Sequence, residues 1–146
     1  PEWRDLLEQG LIADTIEVAG TWSQIDAIYE DVVAALKTVP DCVNASAHSS
    51  HVYRSGINLY FTFACMPADA SVMGDRYLES WDRALTATAE AGGGIAHHHG
   101  SGRLRRDYLH HDLGENGLAL MRKLKQAIDP QDILNPGNLL PLEDAD

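Results

Sequence analysis

The stretch 57–66 alternates between apolar and polar residues more strictly than any other part of the chain. One face would carry Ile57, Leu59, Phe61, Phe63 and Cys65. The other face would carry Asn58, Tyr60, Thr62, Ala64 and Met66, a mostly polar or small set with one large ring. Because successive side chains of a strand point to opposite faces of a sheet, this pattern predicts a strand with one buried face and one open face.

The remainder of the first hundred residues supplies partners for such a strand. A short helix is expected at the start, and helical or alternating apolar spacing, punctuated by Gly and Pro, follows it. Strands are expected at residues 11–18, 41–49 and 93–98, and longer helices at 22–39 and 71–91. The order strand, helix, strand, strand, helix, strand is the ferredoxin-like βαββαβ arrangement. We therefore predict an α+β fold whose antiparallel sheet has helices on one face only.

Residues 101–146 follow a different pattern. A polar connection leads to a further helix, for which Asp112 is the expected N-terminal cap and Pro130 the stop. Its apolar stripe would comprise Leu113, Leu120, Met121, Leu124 and Ile128. A turn at 135–138 and an extended acidic tail complete the chain. We predict a boundary between a ferredoxin-like domain, residues 1–100, and a C-terminal helical segment, residues 101–146.

The segment 92–106 has the most unusual composition in the chain. It contains three glycines, then Ile-Ala and three histidines, then two more glycines and three arginines. Glycine lets a backbone approach a ligand closely, and imidazoles transfer protons near neutral pH. We interpret the segment as a ligand site. Three alternatives stay open: a remnant of an affinity tag, a solvated glycine-rich turn, and a metal site at His97 and His99, which have no Cys or carboxylate following at ligand spacing.

Periodicity links this segment to the central strand. If Ile95 faces the core, alternation along 93–98 sends Ala96 and His98 to the open face of the sheet. Tyr60 lies on the same face. We therefore expect Tyr60 and His98 to converge on one surface from two different strands.

Two stretches of the chain resemble a known family of flavoenzymes. They read AHHHGSGRLRRDYL at 96–109 and AIDPQDILNPGNLLP at 127–141. Both are similar to the C-terminal end of flavin-linked oxidases of the vanillyl-alcohol oxidase superfamily. The triple histidine is most similar to the alkyldihydroxyacetonephosphate synthase family, although that family has Lys where this chain has Arg103. The resemblance extends from about Arg4 to Leu140.

This resemblance implies a fold context and a function. The chain would be the C-terminal, substrate-facing part of an FAD-dependent enzyme of ether-lipid synthesis. Such an enzyme exchanges the acyl chain of acyl-dihydroxyacetone phosphate for a fatty alcohol. The open sheet face would roof the flavin ring, residues 1–100 would form part of a substrate or cap domain, and residues 101–146 would pack on a separate FAD-binding domain.

The resemblance also implies site residues. The expected catalytic residues are Tyr60, His97, His98 and His99. The expected FAD contacts are His99, Gly100 and Asn138. No metal ligand is assigned. Arg4, which precedes the first strand, would bind an anionic substrate head, because a guanidinium donates paired hydrogen bonds to a carboxylate or phosphate. Without the resemblance, Arg4 is interpreted as a surface ion-pair residue.

Charge and hydropathy exclude other classes. The net charge of −11 argues against a nucleic-acid-binding protein, and no apolar run reaches the ~20 residues of a membrane span. Cys42 and Cys65 lie in apolar runs and are interpreted as free thiols of a reducing cytoplasm. Because the chain begins at Pro1, we expect a fragment of a longer cytoplasmic protein. The expected partners are a small-molecule or lipid substrate with an anionic head, a membrane surface and a second copy in a homodimer.

Two other functions remain as alternatives. One is an FAD-linked dehydrogenase of the D-lactate or glycolate type, against which the triple histidine counts. The other belongs to a different class: a non-catalytic ferredoxin-like domain that binds a ligand or a metal through its acids and histidines.

Overall fold

A three-stranded antiparallel sheet forms the centre of the protein. The computed structural model describes residues 3–140. The strands are β1 (Ile12–Thr21), β2 (Cys42–His48) and β3 (Gly56–Cys65), in the order β1–β3–β2. The strictly alternating stretch of the sequence is thus the central strand. It pairs with β1 from Ile12↔Cys65 to Thr21↔Gly56 without a register shift.

Five helices accompany the sheet: α1 (Trp3–Glu8), α2 (Ile25–Lys37), α3 (Met73–Glu90), α4 (Gly102–Arg105) and α5 (Leu109–Ile128). Short 3₁₀ turns lie at Ala70–Val72 and Arg106–Tyr108. The predicted α+β architecture, with an antiparallel sheet and a C-terminal helix, is confirmed. Residues 1, 2 and 141–146 lie outside the described range, and so does most of the predicted acidic tail.

Helices α2 and α3 pack on one face of the sheet, which we call the helix-packed face. From β3 it receives Phe61 and Phe63, which are fully buried, and from α2 it receives Ile28, Val32 and Leu36 at a spacing of four residues. That spacing places the three side chains on one side of the helix. Each such burial contributes about 1.5–3 kcal/mol, so this face supplies most of the apolar stabilisation.

The expected fourth strand is a correction to the sequence analysis. Residues 93–98 form a single isolated bridge, Ala19↔Gly94, instead of a regular strand. Two backbone N–H groups after this bridge donate to side chains. The N–H of Ile95 donates to Asp112 Oδ1 at 3.2 Å, and the N–H of His98 donates to Glu17 Oε2 at 3.2 Å. Because these donors are engaged by carboxylates, the backbone leaves the sheet after one bridge.

Helix α5 also differs from its prediction. It begins at Leu109, and Asp112 binds the 93–98 segment instead of capping the helix. A break occurs at Gly114, whose φ of 64° and ψ of 172° are not helical. Leu109 and Leu118 join the core, but most of the predicted stripe is exposed: Leu113, Leu120, Leu124 and Ile128. Within residues 3–140, no helix has the length and apolarity needed to cross a bilayer.

Candidate functional site

The face of the sheet opposite α2 and α3, which we call the open face, carries a polar row across its three strands. Strand pairing sets Glu17 of β1 and His48 of β2 on either side of Tyr60 in β3. The His48 ring stacks on the Tyr60 ring, with 5.2 Å between centroids and 7° between planes. Tyr60 is therefore fixed in the middle of the open face, as the alternation of β3 predicts.

The three consecutive histidines, which we call the histidine cluster (His97, His98 and His99), fold over this row. The Tyr60 Oη lies 3.1 Å from Nε2 of His98 and 3.1 Å from Nε2 of His99. The predicted convergence of Tyr60 and His98 is present. It arises from a bend and not from strand alternation, which is why a second histidine also reaches the phenol.

Glu17 lies beneath the histidine cluster and has no exposed surface. Its Oε1 is 2.8 Å from Nδ1 of His97 and 2.8 Å from Nδ1 of His98. Asn58 Nδ2 donates to the same oxygen at 2.8 Å. Burial raises the pKa of Glu17, but the hydrogen bonds from Asn58, His97 and the His98 backbone outweigh it and lower the pKa to about 2. The Glu17 carboxylate is therefore ionised near neutral pH.

Arg105 ties the segment that follows the histidine cluster to the sheet. Its Nη2 donates to the backbone oxygen of Glu17 at 2.8 Å, and its Nη1 donates to the backbone oxygen of Gly100 at 2.7 Å. The guanidinium also lies 5.1 Å from the centre of the Trp81 ring. Burial lowers the pKa of Arg105, and the Glu17 charge opposes that effect. Arg105 is therefore a buried cation that links β1 to the segment following the histidine cluster.

The other predicted contacts fall at the edge of the site or away from it. Gly100 adopts a φ of 77° and has open space where a side chain would project. Asn138 lies beside Gly102, in a turn that Arg106 fixes by donating to Gly137 O at 2.7 Å. Arg4 is exposed on α1. Among the described residues, none of the hydrogen bonds of Tyr60 or the histidine cluster involves Arg4.

Glu17, Asn58 and Arg105 were missed by the sequence analysis. Glu17 interrupts an apolar run in β1 at a position that faces away from the helices, and Asn58 occupies the equivalent face of β3. A charged residue within an apolar strand, at a position that faces away from the helices, is a sequence signal that could have identified Glu17 as a site residue. Arg105 gave no such signal, since it sits among three arginines and only the fold distinguishes the buried one.

Four side chains of this region could hold a metal ion. Glu17, His51, His97 and His98 offer ligand atoms that all lie within 4.8 Å of one another. The carboxylate that the sequence analysis did not find near His97 comes from β1, eighty residues earlier in the chain. Imidazole and carboxylate ligands of this kind suit zinc and similar ions.

The exposed part of the site also fits a flavin ring. The side chains of His98 and His99 are 44% and 39% exposed, and Tyr60 is partly exposed beside them. The open face continues past them as a surface of small polar residues: Thr15, Thr62, Ser46 and Asn44. A planar ring with hydrogen-bonding edges can lie on such a surface, with imidazole and phenol groups at its border.

The fold and this site define the class of the protein. The family of FAD linked oxidases, C-terminal domain, matches residues 3–139, and the chain belongs to that family. The cofactor of the protein is therefore FAD.

Several individual proteins are similar in sequence to this chain. An uncharacterized FAD-linked oxidoreductase, YgcU, from Escherichia coli is 34% identical over 94% of this chain and 30% of its own length. The alkyldihydroxyacetonephosphate synthase of Trypanosoma brucei brucei is 33% identical over 95% of this chain and 22% of its own. A D-lactate dehydrogenase [cytochrome], mitochondrial, from Kluyveromyces lactis is 28% identical over 80% of this chain and 21% of its own.

A solved structure of an alkyldihydroxyacetonephosphate synthase has the same fold. It superposes with a TM-score of 0.61 at 24% identity, over 91% of this chain and 22% of that one. The chain thus spans about a fifth to a third of the length of the relatives it matches. The substrate and the reaction are properties of those whole proteins.

Proposed function

We propose that this chain is the substrate-facing part of an FAD-dependent alkyldihydroxyacetonephosphate synthase. The reaction would replace the acyl chain of acyl-dihydroxyacetone phosphate with a fatty alcohol. The observation that carries the proposal is the Tyr60 hydroxyl, held 3.1 Å from two imidazole nitrogens on an open sheet face. The synthase of Trypanosoma brucei brucei, 33% identical over nearly the whole chain, supports the choice of reaction.

In this proposal Tyr60 moves a proton at the substrate. A phenol ordinarily titrates near pH 10, so it needs a neighbouring base to act near neutral pH. The Nε2 atoms of His98 and His99 are within hydrogen-bond distance of its oxygen and can accept or return that proton. His97 turns its Nδ1 to Glu17 and supports the arrangement from below.

His99, Gly100 and Asn138 are the residues proposed to hold FAD. Bound FAD would supply an electron-accepting ring. The open backbone at Gly100 and the exposed His99 ring leave room for that ring at the border of the open face. Arg4 would bind the anionic head of the substrate, and its exposure leaves the guanidinium accessible to a phosphate, with which it can form a bidentate pair.

The division of the chain at residue 100 is part of the proposal. Leu120, Leu124 and Ile128 are 59%, 53% and 75% exposed on α5. A monomeric protein rarely leaves a continuous apolar stripe in water. We propose that residues 101–146 pack on an FAD-binding domain of the whole enzyme, as the length of the relatives suggests.

A second candidate function is oxidation of a D-2-hydroxyacid. The specific observation in its favour is the 28% identity to the D-lactate dehydrogenase from Kluyveromyces lactis. The two candidates differ in electron balance, since acyl-for-alkyl exchange leaves no net reducing equivalents and hydroxyacid oxidation delivers two electrons to an acceptor.

One experiment separates the candidates. The absorbance spectrum of the whole flavin-loaded enzyme, including its FAD-binding domain, is recorded before and after adding acyl-dihydroxyacetone phosphate with a fatty alcohol, and separately D-lactate. The synthase function predicts formation of the alkyl product with an oxidised flavin at the end. Bleaching by D-lactate without alkyl product would instead identify a dehydrogenase. A colourless protein that retains zinc after purification would identify a metal-binding domain.

A further inference from the structure

We propose that Cys42 and Cys65 form a site of reversible oxidation, at which a peroxide converts Cys42 to a sulfenic acid and Cys65 then closes a disulfide between β2 and β3. The chain has two cysteines, and both are free thiols in this structure. The sequence analysis treated them separately, because they lie in different apolar runs. Neither takes part in the proposed chemistry of the open face, so this inference is independent of the proposed function.

Strand pairing places the two cysteines directly opposite each other. Cys42, at the start of β2, is the register partner of Cys65, at the end of β3. The N–H of Met66 donates to the backbone oxygen of Asp41 at 2.9 Å, as expected beside a non-hydrogen-bonded antiparallel pair. Such a pair has Cα atoms about 4.5 Å apart and side chains on one face. Disulfides span Cα separations of about 4.4–6.8 Å, so this backbone arrangement suits one.

The side chains of the pair also lie together on the helix-packed face. Cys65 Sγ lies 3.7 Å from Ser80 Oγ of α3, and Cys42 packs against the same apolar core. Burial raises the pKa of the Cys65 thiol, the Ser80 hydroxyl opposes that effect, and the neighbouring Cys42 thiol raises the pKa further. The two sulfur atoms are therefore near enough to act on each other in the reduced protein.

The two thiols differ in their access to solvent, and this difference sets the order of the steps. Cys65 has no exposed surface, whereas Cys42 is half-buried on β2, at the edge of the described sheet. An oxidant therefore meets Cys42 first. A thiol reacts with oxidants through its thiolate, and burial keeps Cys65 protonated, so Cys65 does not react with a peroxide on its own. It reacts when the oxidised sulfur of Cys42 lies beside it.

The chemistry balances with hydrogen peroxide as the oxidant. The O–O bond of the peroxide breaks at Cys42 Sγ, which gives the sulfenic acid and one water. Cys65 Sγ then attacks Cys42 Sγ: the S–S bond forms, the S–O bond breaks, and the Cys65 proton leaves with the hydroxyl as a second water. The two thiols lose two electrons in total, and the peroxide gains them. A free thiol such as glutathione reverses the step by exchange and is itself oxidised to its disulfide.

The disulfide protects Cys42 from irreversible damage. Without a second thiol, a sulfenic acid proceeds to the sulfinic acid, which ordinary thiols do not reduce. The ladder is irregular between Cys42 and Asn44, so the start of β2 is held by fewer strand hydrogen bonds and can adjust to the new bond. Cysteine pairs of this kind in reducing compartments are usually transient and redox-sensing.

Peptide mapping of the whole enzyme tests the proposal and needs no substrate. The folded enzyme is treated with hydrogen peroxide, the peroxide is removed, and the protein is alkylated in denaturant, digested and analysed by mass spectrometry. We expect a linked pair of peptides that contains Cys42 and Cys65, with loss of both alkylatable thiols and their recovery after treatment with glutathione. Two thiols that stay open to alkylation, a Cys42 sulfinic acid without a link, or a link to a different cysteine of the whole enzyme would overturn the proposal.

Two matched variants separate the roles of the thiols. Cys42→Ser keeps the size of the side chain and should leave Cys65 reduced under the same treatment, because peroxide does not reach the buried thiol. Cys65→Ala should let Cys42 proceed to the sulfinic acid, because no second thiol captures the sulfenic acid. An oxidised Cys65 in folded Cys42→Ser would overturn the proposal. If a variant does not fold, the wild-type peptide map decides alone.

Unfolding the wild-type enzyme before the peroxide is added tests the contribution of the fold. The link should form more slowly in denaturant, because the strands no longer hold the two sulfur atoms side by side. An equal rate in the folded and unfolded protein would also overturn the proposal.

Discussion

The two faces of one sheet use the same three strands in different ways. The helix-packed face is a cluster of apolar side chains that pack against one another, and Phe61 and Phe63 are fully buried in it. The open face holds one connected hydrogen-bond network, from Glu17 through His97 and His98 to Tyr60. The comparison teaches that neighbouring residues of β3 serve stability and chemistry separately, because alternation sends them to opposite sides.

The largest expected effect on stability tests the helix-packed face. Phe61→Ala should lower the free energy of unfolding by about 3–5 kcal/mol, because it leaves a cavity in a packed core. Thr62→Ala, at the next residue but on the open face, should cost less than about 1 kcal/mol. Denaturant unfolding of both variants measures the difference. Equal losses would show that the open face contributes as much to stability as the helix-packed face.

A pH titration of stability tests the open face. The pKa of Glu17 is about 2 in the folded protein and near 4.3 in an unfolded chain. Since the folded value is the lower one, Glu17 stabilises the fold above the unfolded pKa, and this contribution is lost as the pH falls towards 2. The loss should amount to about 2–3 kcal/mol.

Unfolding of the wild-type protein and of Glu17→Gln between pH 5 and pH 2 isolates this contribution. The gap in unfolding free energy between the two should narrow as the pH falls. A gap that stays constant over this range would mean that Glu17 does not titrate differently in the folded and unfolded states.

Arg4 belongs to neither face, and its replacement sharpens the comparison. Arg4→Ala should weaken apparent substrate affinity by about 1.5–3 kcal/mol, the range for a charged hydrogen bond, with turnover much less affected. Arg4→Lys should restore only part of it, because the forked geometry is lost. Lys37→Ala, which removes an exposed cation from α2, is the control. Affinity unchanged in Arg4→Ala would make Arg4 a surface cation only.

The smallest expected effect concerns the exposed stripe of α5. Leu124→Gln should change the unfolding free energy of this chain by less than about 0.5 kcal/mol, because the side chain is 53% exposed. Leu118→Ala, on the buried side of the same helix, should cost about 2 kcal/mol or more. A large loss in Leu124→Gln would place the stripe within the core of this chain.

The sequence predicted the parts of the molecule that depend on local periodicity. The faces of β3 and the helices packed on one of them follow from alternation and helical spacing. The approach of Tyr60 to His98 was predicted from alternation along 93–98, but it arises from a bend in that segment. The fourth strand was wrong, because the donors of Ile95 and His98 bind carboxylates from distant segments. Arg105 was missed because its role arises from a contact across more than eighty residues, which no local pattern encodes. Glu17 interrupts the apolar run of β1, a local signal that the sequence analysis did not use.

The central claim is that the open face carries the chemistry and the helix-packed face carries the stability. Turnover of Tyr60→Phe, at matched flavin content and with the melting temperature recorded beside it, tests this most directly. The substitution removes one oxygen and keeps the ring that stacks on His48. The account predicts turnover lower by about 10²- to 10⁴-fold, with flavin content and melting temperature nearly unchanged. Wild-type turnover at an unchanged melting temperature would contradict it.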